Sequence, residues 1–270
     1  MSVNVYPAPL AQVTLPATQY DAFGRLRTSG TGQRLDVEFI YDNQPNFFDE
    51  VTNNGSVTHN ANSRDLTLAL SSSASGSHAI MKSHPIPYTP GNSQLIKVTG
   101  TLDLSGLGSG VAQVFLRSSV TGSIVETVVD QDSWSNDKAT TADWTKSHIF
   151  SLDFQSLKVG RIRFIMARKG VPTLMHEMFN DNDINTGYWQ VPSLPAYWRI
   201  YNDATYTYME CGYGDTNNAI GFRYRIAANA AATMRAICCT VKSEGGQDLQ
   251  DMGGLPRTAD NGVTVVTASS

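Results

Sequence analysis

Leu35-Asp36-Val37-Glu38-Phe39-Ile40-Tyr41 is the stretch on which the fold class turns. Leu35, Val37, Phe39 and Tyr41 alternate with Asp36 and Glu38. A period of two sends successive side chains to opposite faces, so this reads as a half-buried strand. The same rhythm returns along the chain. Leu66, Leu68 and Leu70 alternate with Thr67 and Ala69, and Phe150, Leu152 and Phe154 with Ser151 and Asp153. Ile162, Phe164 and Met166 alternate with Arg161, Arg163 and Ile165. Residues 93–104 and 111–117 are rich in β-formers, and Ile124 to Val129 is β-branched. Residues 173–179 follow Lys169-Gly170, a hairpin-like break. Late strands are expected at 196–202, 205–210, 220–226 and 232–242. No segment of a dozen residues keeps a helical period, so helix should be scarce. Many short strands at regular spacing predict an all-β protein, a two-sheet β-sandwich of jelly-roll-like form.

The sandwich is expected over residues 35–243, between an extended arm (1–34) and a polar tail (244–270). Pro7, Pro9 and Pro16 punctuate the arm, each removing a backbone donor and extending its predecessor. The arm nevertheless carries spaced apolar residues, among them Val3, Tyr6, Leu10, Val13, Phe23 and Leu26. It either orders against a partner surface, the favoured reading, or lies along its own domain as an edge. The tail loses periodicity at Gly245-Gly246 and Gly253-Gly254, with one further strand expected at 263–267. Long loops are expected at Ser71–Gly76 and from Ser133 to Trp144. On the strand at 232–242, Met234, Ala236 and Cys238 fall on one face and Ile237, Cys239 and Val241 on the other. Both faces are apolar, so this strand is expected to be covered on both sides, the outer one by the protein's own arm or tail or, the favoured reading, by a neighbouring subunit.

Hydrophobic residues form 41 % of the chain, enough for a packed core, while charged residues form only 16 %, below the usual quarter. Ser, Thr, Asn and Gly fill the difference, which suits short strands joined by polar turns. The net charge is −4 and there is no Lys/Arg run, so no nucleic-acid partner is expected. No apolar run approaches a membrane span, and the N-terminus lacks the charged and apolar regions of a signal peptide. Cys211, Cys238 and Cys239 are a poor disulfide framework; they read as small buried residues of a protein made in a reducing cytoplasm.

Catalytic signals are weak. His59, His78, His84, His148 and His176 show no metal-binding spacing, and His176-Glu177 lacks the second histidine of a zinc motif. Asp130, Asp132, Asp153, Glu177 and Glu210 are available as paired acids for a glycosidase, but any chain with 24 acidic residues offers such candidates. Gly106-Leu107-Gly108-Ser109-Gly110 places glycine where a nucleophile elbow needs serine. No catalytic residue, metal ligand or cofactor-binding residue is therefore assigned. Aromatic residues in or beside predicted loops, Trp134, Trp144, Tyr188, Trp189 and Trp198, admit two readings. Such rings stack sugars on a sandwich rim, and they also cap cores and fill subunit contacts, which is the favoured reading here.

Asp21-Ala22-Phe23-Gly24-Arg25-Leu26-Arg27-Thr28-Ser29, with Tyr41-Asp42-Asn43-Gln44-Pro45 and later Tyr88 to Ile96, Val159 to Phe164, His176 to Asn180 and Val241-Lys242-Ser243-Glu244-Gly245-Gly246, resembles a family of tailed-bacteriophage virion structural proteins. These pieces lie in order over most of residues 20–246. The resemblance implies membership of a phage particle, as a head-surface, neck or fibre-base subunit without an agreed catalytic site. It implies synthesis in the bacterial cytoplasm, other virion proteins as partners and a homo-oligomer, with a trimer the first expectation. Phe23, Arg25, Leu26 and Arg27 then form the candidate docking contact, since arginines suit bidentate pairs at buried interfaces. The alternative is a receptor-binding module of the tail or fibre that reads a host-surface glycan.

Overall fold

The computed structural model describes residues 32–103, 110–181, 184–227 and 229–244. Its strands are β1 (Gly32–Glu38), β2 (Phe48–Asn53), β3 (Gly55–Asn60), β4 (Asp65–Leu70), β5 (His78–Ser83), β6 (Ser93–Asp103), β7 (Gly110–Ser118) and β8 (Val125–Asp130). After them come β9 (Ser147–Phe154), β10 (Ile162–Arg168), β11 (Val171–Met178), β12 (Ala196–Asn202), β13 (Thr207–Gly214), β14 (Ala219–Ile226) and β15 (Thr233–Glu244). Seven strands make a front sheet in the order β2-β5-β12-β13-β14-β7-β8. The other eight make a back sheet, β11-β10-β9-β6-β15-β4-β3, with β1 beside β15. Paired strands run antiparallel throughout. Because the chain passes back and forth between the sheets, this is the expected all-β, jelly-roll-like sandwich. Helix among the described residues is confined to a short 3₁₀ turn, Gln131–Ser133.

The core is the space between the sheets. Phe150, Leu152, Phe154 and Phe164 enter it from the back sheet, and Trp198, Ile200, Met209 and Phe222 from the front. Phe150 and Phe222 meet across it with ring centroids 4.8 Å apart. The Trp198 indole N–H donates to the Thr99 carbonyl of the opposite sheet at 3.2 Å, so a buried polar atom is satisfied where it crosses. At the β10–β11 hairpin Lys169 and Gly170 take φ of 50° and 80°. Two left-handed residues in a two-residue loop match the twist of the flanking strands.

Several sequence expectations are refined. β1 begins at Gly32, so Gly32–Arg34 belong to a strand rather than to the arm. The alternation from Leu35 buries Val37 and Phe39, but β1 ends at Glu38 and Tyr41 is 84 % exposed. Strands β2, β3 and β5 were not anticipated from the sequence. β2 and β3 are edge strands with few buried residues. The docking residues Phe23, Arg25, Leu26 and Arg27 lie outside the described residues, as does the tail after Glu244.

The largest correction concerns β15. Its register against β6 shifts between Ala236 and Cys238, which leaves Ile237 as an extra residue. A bulge resets the phase of a strand. Met234 and Ala236 before it, and Cys239 and Val241 after it, therefore share the core face. Arg235, Cys238, Thr240 and Lys242 point outward and are exposed or half-exposed. The two apolar faces read from strict alternation are in fact one buried face broken by a bulge, and no second layer is needed over the other. The cysteines are unbridged, with Cys211 and Cys239 buried and the Cys238 thiol 3.3 Å from the Thr99 hydroxyl.

Candidate functional site

The outward face of the front sheet carries an unusual set of side chains. On β12, Trp198 and Ile200 fill the core, and alternation turns Tyr197, Arg199 and Tyr201 outward. On β13, Met209 and Cys211 point in while Tyr208 and Glu210 point out. β14 adds Arg223 and Arg225, and β7 adds Gln113, Phe115 and Arg117. The register sets Arg199 beside Glu210, Glu210 beside Arg223, and Arg117 beside Glu126 of β8.

Glu210 is the centre of this layer and is 0 % exposed although it faces away from the core. Its Oε1 accepts from Arg117 Nη2 at 3.0 Å and from the Tyr201 hydroxyl at 3.0 Å, and Arg223 Nη1 lies 3.5 Å away. Its Oε2 accepts from the Tyr197 hydroxyl at 3.4 Å and faces Arg199 Nη1 at 4.0 Å. Glu126 closes the network, accepting from Arg117 Nε at 2.6 Å and from Arg223 Nη2 at 3.0 Å. Burial would raise the Glu210 carboxyl, but the guanidiniums of Arg117, Arg223 and Arg199 and the Tyr201 hydroxyl overcome it and hold the group at about 2. Burial drives the Tyr197 and Tyr201 hydroxyls up, and the Glu210 charge adds to it. These tyrosines are permanent donors.

Arginine planes and aromatic rings stack over this network. Arg199 sits 3.8 Å from the Tyr201 ring centre, Arg223 4.5 Å from Phe115 and 4.9 Å from Tyr208, and Arg225 4.8 Å from Tyr206. Tyr201 and Tyr208 stack with centroids 4.9 Å apart and remain partly exposed. Gly221 makes room for this. A Cβ there would stand 2.5 Å from the Cys211 carbonyl oxygen and 3.2 Å from the Phe115 ring.

One cavity borders the layer and another opens away from it. A small one of about 120 Å³ lies beside Tyr197 and Arg199, closed by Val51, Ile80, Lys82 and the turn Gly214–Thr216. A larger cleft of about 420 Å³ opens at the edge of the sandwich between β8 and β11, lined by Val125, Val129, His176, Glu177, Met178 and Tyr188 among others. Its titratable groups are engaged: His176 Nδ1 accepts from the Ser135 N–H at 3.1 Å, and Glu177 pairs with Arg161 at 3.3 Å. Burial lowers the His176 pKa, so its ring is neutral near pH 7. Among the described residues no group of His, Cys, Asp and Glu side chains could hold a metal ion.

The aromatics singled out from sequence are placed in the core, not on a binding rim. Trp134, Tyr188 and Trp189 are buried and Trp144 packs against Phe150 at its edge. The indole N–H groups of Trp134 and Trp189 are satisfied inside, by the carbonyls of Val129 (3.1 Å) and Arg117 (3.2 Å), which frees neither ring to turn outward. Of the candidate acids, Asp153 is tied to buried Arg163, Glu177 to Arg161, and Asp130 accepts from Gln113 at 2.6 Å. Glu210 alone stands at the centre of a cluster. The arginines and tyrosines around it were missed; their signal is the polar-aromatic phase of β12 to β14, Tyr197-Arg199-Tyr201, Tyr208-Glu210 and Arg223-Arg225, set against an apolar phase.

No family model and no curated protein matches this chain. Solved structures similar to it include arcelin-5, a lectin-like defence protein from Phaseolus vulgaris, at 9 % identity over 77 % of this chain and 97 % of that one, with a TM-score of 0.35. Lectin I-B4 from Griffonia simplicifolia shares 13 % identity over 77 % and 99 %, with a TM-score of 0.28. An endo-1,3-beta-glucanase from Streptomyces sioyaensis shares 8 % over 81 % and 98 %, with a TM-score of 0.33. The overlaps are loose, and no residue, ligand or activity carries over from them.

Proposed function

We propose that this chain is a non-enzymatic recognition subunit of a tailed-phage particle, and that it presents the outward face of its front sheet to a host-surface glycan. The observation that carries the recognition half is the arginine–tyrosine layer built on Glu210. Partly exposed Tyr201 and Tyr208, stacked on each other and on Arg199 and Arg223, offer apolar ring edges, and the neighbouring arginines offer fixed donors, a pairing that suits sugar rings with their hydroxyls. The buried ion network beneath holds these groups in place before a ligand arrives, which lowers the entropic cost of binding. Glu210 held at about 2 stays ionised and engaged, which suits it to scaffolding and not to proton transfer. The phage half rests on the sequence resemblance that starts at Asp21–Ser29. It also supports a second reading, a purely structural subunit that docks through the arm.

A glycan array probed with the purified chain separates the two readings. Selective binding that falls when Tyr201 and Tyr208 are replaced by alanine, with no release of cleaved sugar, is the expected result. A uniformly blank array would leave only the structural role. Mass spectrometry of purified particles tests the phage assignment directly.

A further inference from the structure

We propose that the small cavity between β2, β5 and β12 receives a singly charged acidic substituent of a sugar, a carboxylate or a sulfate half-ester, with Lys82 and Arg199 as its counter-charges. This rests on the glycan reading above and narrows it to acidic glycans. Three features of the cavity lead here. Its lining holds two cations, Lys82 and Arg199, against one acid, Asp215. Asp215 is occupied with its own turn, since its Oδ1 accepts from the backbone N–H of Asn217 at 2.8 Å and of Asn218 at 2.7 Å. Lys82 makes no ion pair with any described residue, and Arg199 Nε has no acceptor among them. The lining itself carries a net positive charge of one, while Glu210 faces Arg199 from outside it at 4.0 Å and Asp49 lies beside Lys82 in the β2–β5 register, so a monoanion fits better than a phosphate dianion.

Size and position add to the charge. About 120 Å³ admits a single charged group and not a whole saccharide ring. Arg199 borders both the cavity and the tyrosine layer, lying 3.8 Å from the Tyr201 ring. A sugar seated against the exposed edges of Tyr201 and Tyr208 can therefore direct an acidic neighbour in the same oligosaccharide along β12 toward Arg199 and Lys82, which lies opposite Tyr197. Val51 and Ile80 wall the cavity with apolar surface, which strengthens a charge-assisted hydrogen bond made inside it.

The test is calorimetric titration of the full chain with a uronic-acid oligosaccharide, its sulfated counterpart and its carboxyl-reduced neutral form. Binding should favour the acidic forms by about tenfold, and Lys82→Gln should abolish that preference while leaving the fold unchanged by circular dichroism. The carboxylated and sulfated arms identify which anion is read. Arg199→Gln should act in the same direction, but Arg199 also faces Glu210, so Lys82→Gln is the deciding variant. Equal affinity for acidic and neutral forms, or a preference unmoved by Lys82→Gln, overturns this inference and leaves glycan recognition standing. Failure of every form to bind, with a blank glycan array, overturns both.

Discussion

β13 and β15 run through the middle of the front and back sheets, yet they are buried in different ways. β13 is covered on both faces, with Met209, Cys211 and Tyr213 toward the core and Glu210 sealed on the far side. β15 is covered on one face only, and its outward Arg235, Cys238, Thr240 and Lys242 are exposed or half-exposed. The outer face of β15 therefore stays open to water. On the front sheet, long arginines and tyrosines from β7, β12 and β14 fold over Glu210 and make a second, charged interior. A sheet face closes without a further layer of backbone when its side chains are long enough and their charges are paired.

The strongest way to break this comparison is a charge placed on either side of the β15 bulge. Cys239→Asp puts an unpaired carboxylate into the core and should abolish folding, read as loss of soluble protein or of a cooperative melt. Cys238→Asp, one residue away but facing outward, should fold with a change within about 1 kcal/mol. The reverse outcome would put the bulge elsewhere. Next in size, Glu210→Gln removes the charge that compensates three arginines and should cost roughly 3–5 kcal/mol in urea unfolding. A loss of under about 1 kcal/mol would mean that this layer is wet.

The third test is acid stability. Glu210 titrates near 4.5 when unfolded and at about 2 when folded. Its contribution is therefore complete above the unfolded value and is lost as pH falls through the folded one. Roughly 3 kcal/mol should disappear between about pH 5 and pH 2, and Glu210→Gln should flatten that part of the profile. An unchanged slope would separate Glu210 from acid unfolding. The smallest effect belongs to β15: Arg235 pairs with Asp65 at 3.1 Å but is half exposed, so Arg235→Ala should cost under about 1 kcal/mol.

The sandwich was legible because Phe150–Phe154, Ile162–Met166 and Leu66–Leu70 alternate without interruption. β2 and β3 escaped because edge strands bury little, so Phe48-Asp49-Glu50-Val51 shows no sustained alternation. The face of Cys238 was misassigned because nothing in Ala236-Ile237-Cys238 announces a bulge; only pairing with Gly100 and Thr99 reveals it. The cluster at Glu210 was visible only as one carboxylate among many. Its meaning depends on Arg117, Arg199 and Arg223, which are far apart in sequence and meet only through the order of β7, β14, β13 and β12. The loop tryptophans read as core caps in preference to sugar platforms, and Trp134 and Trp189 are buried with their N–H groups satisfied inside.

β15 also fixes an order of events during synthesis. Among the described residues, β1 has no strand partner except β15, and Thr240 bonds Asp36 across 204 residues of chain. β4 and β6 are likewise joined only through β15. A ribosome releases β1 first and β15 last, so the back sheet exists as separate pieces with open edges until residues 233–244 emerge. The neighbours β12, β13 and β14 are consecutive hairpins that zip as they appear. The centre of the front sheet is thus assembled locally, and it captures β5 and β7 from earlier in the chain, while the back sheet waits for its last strand, and nascent chains stopped short of Thr233 should be the species that chaperones hold and proteases remove.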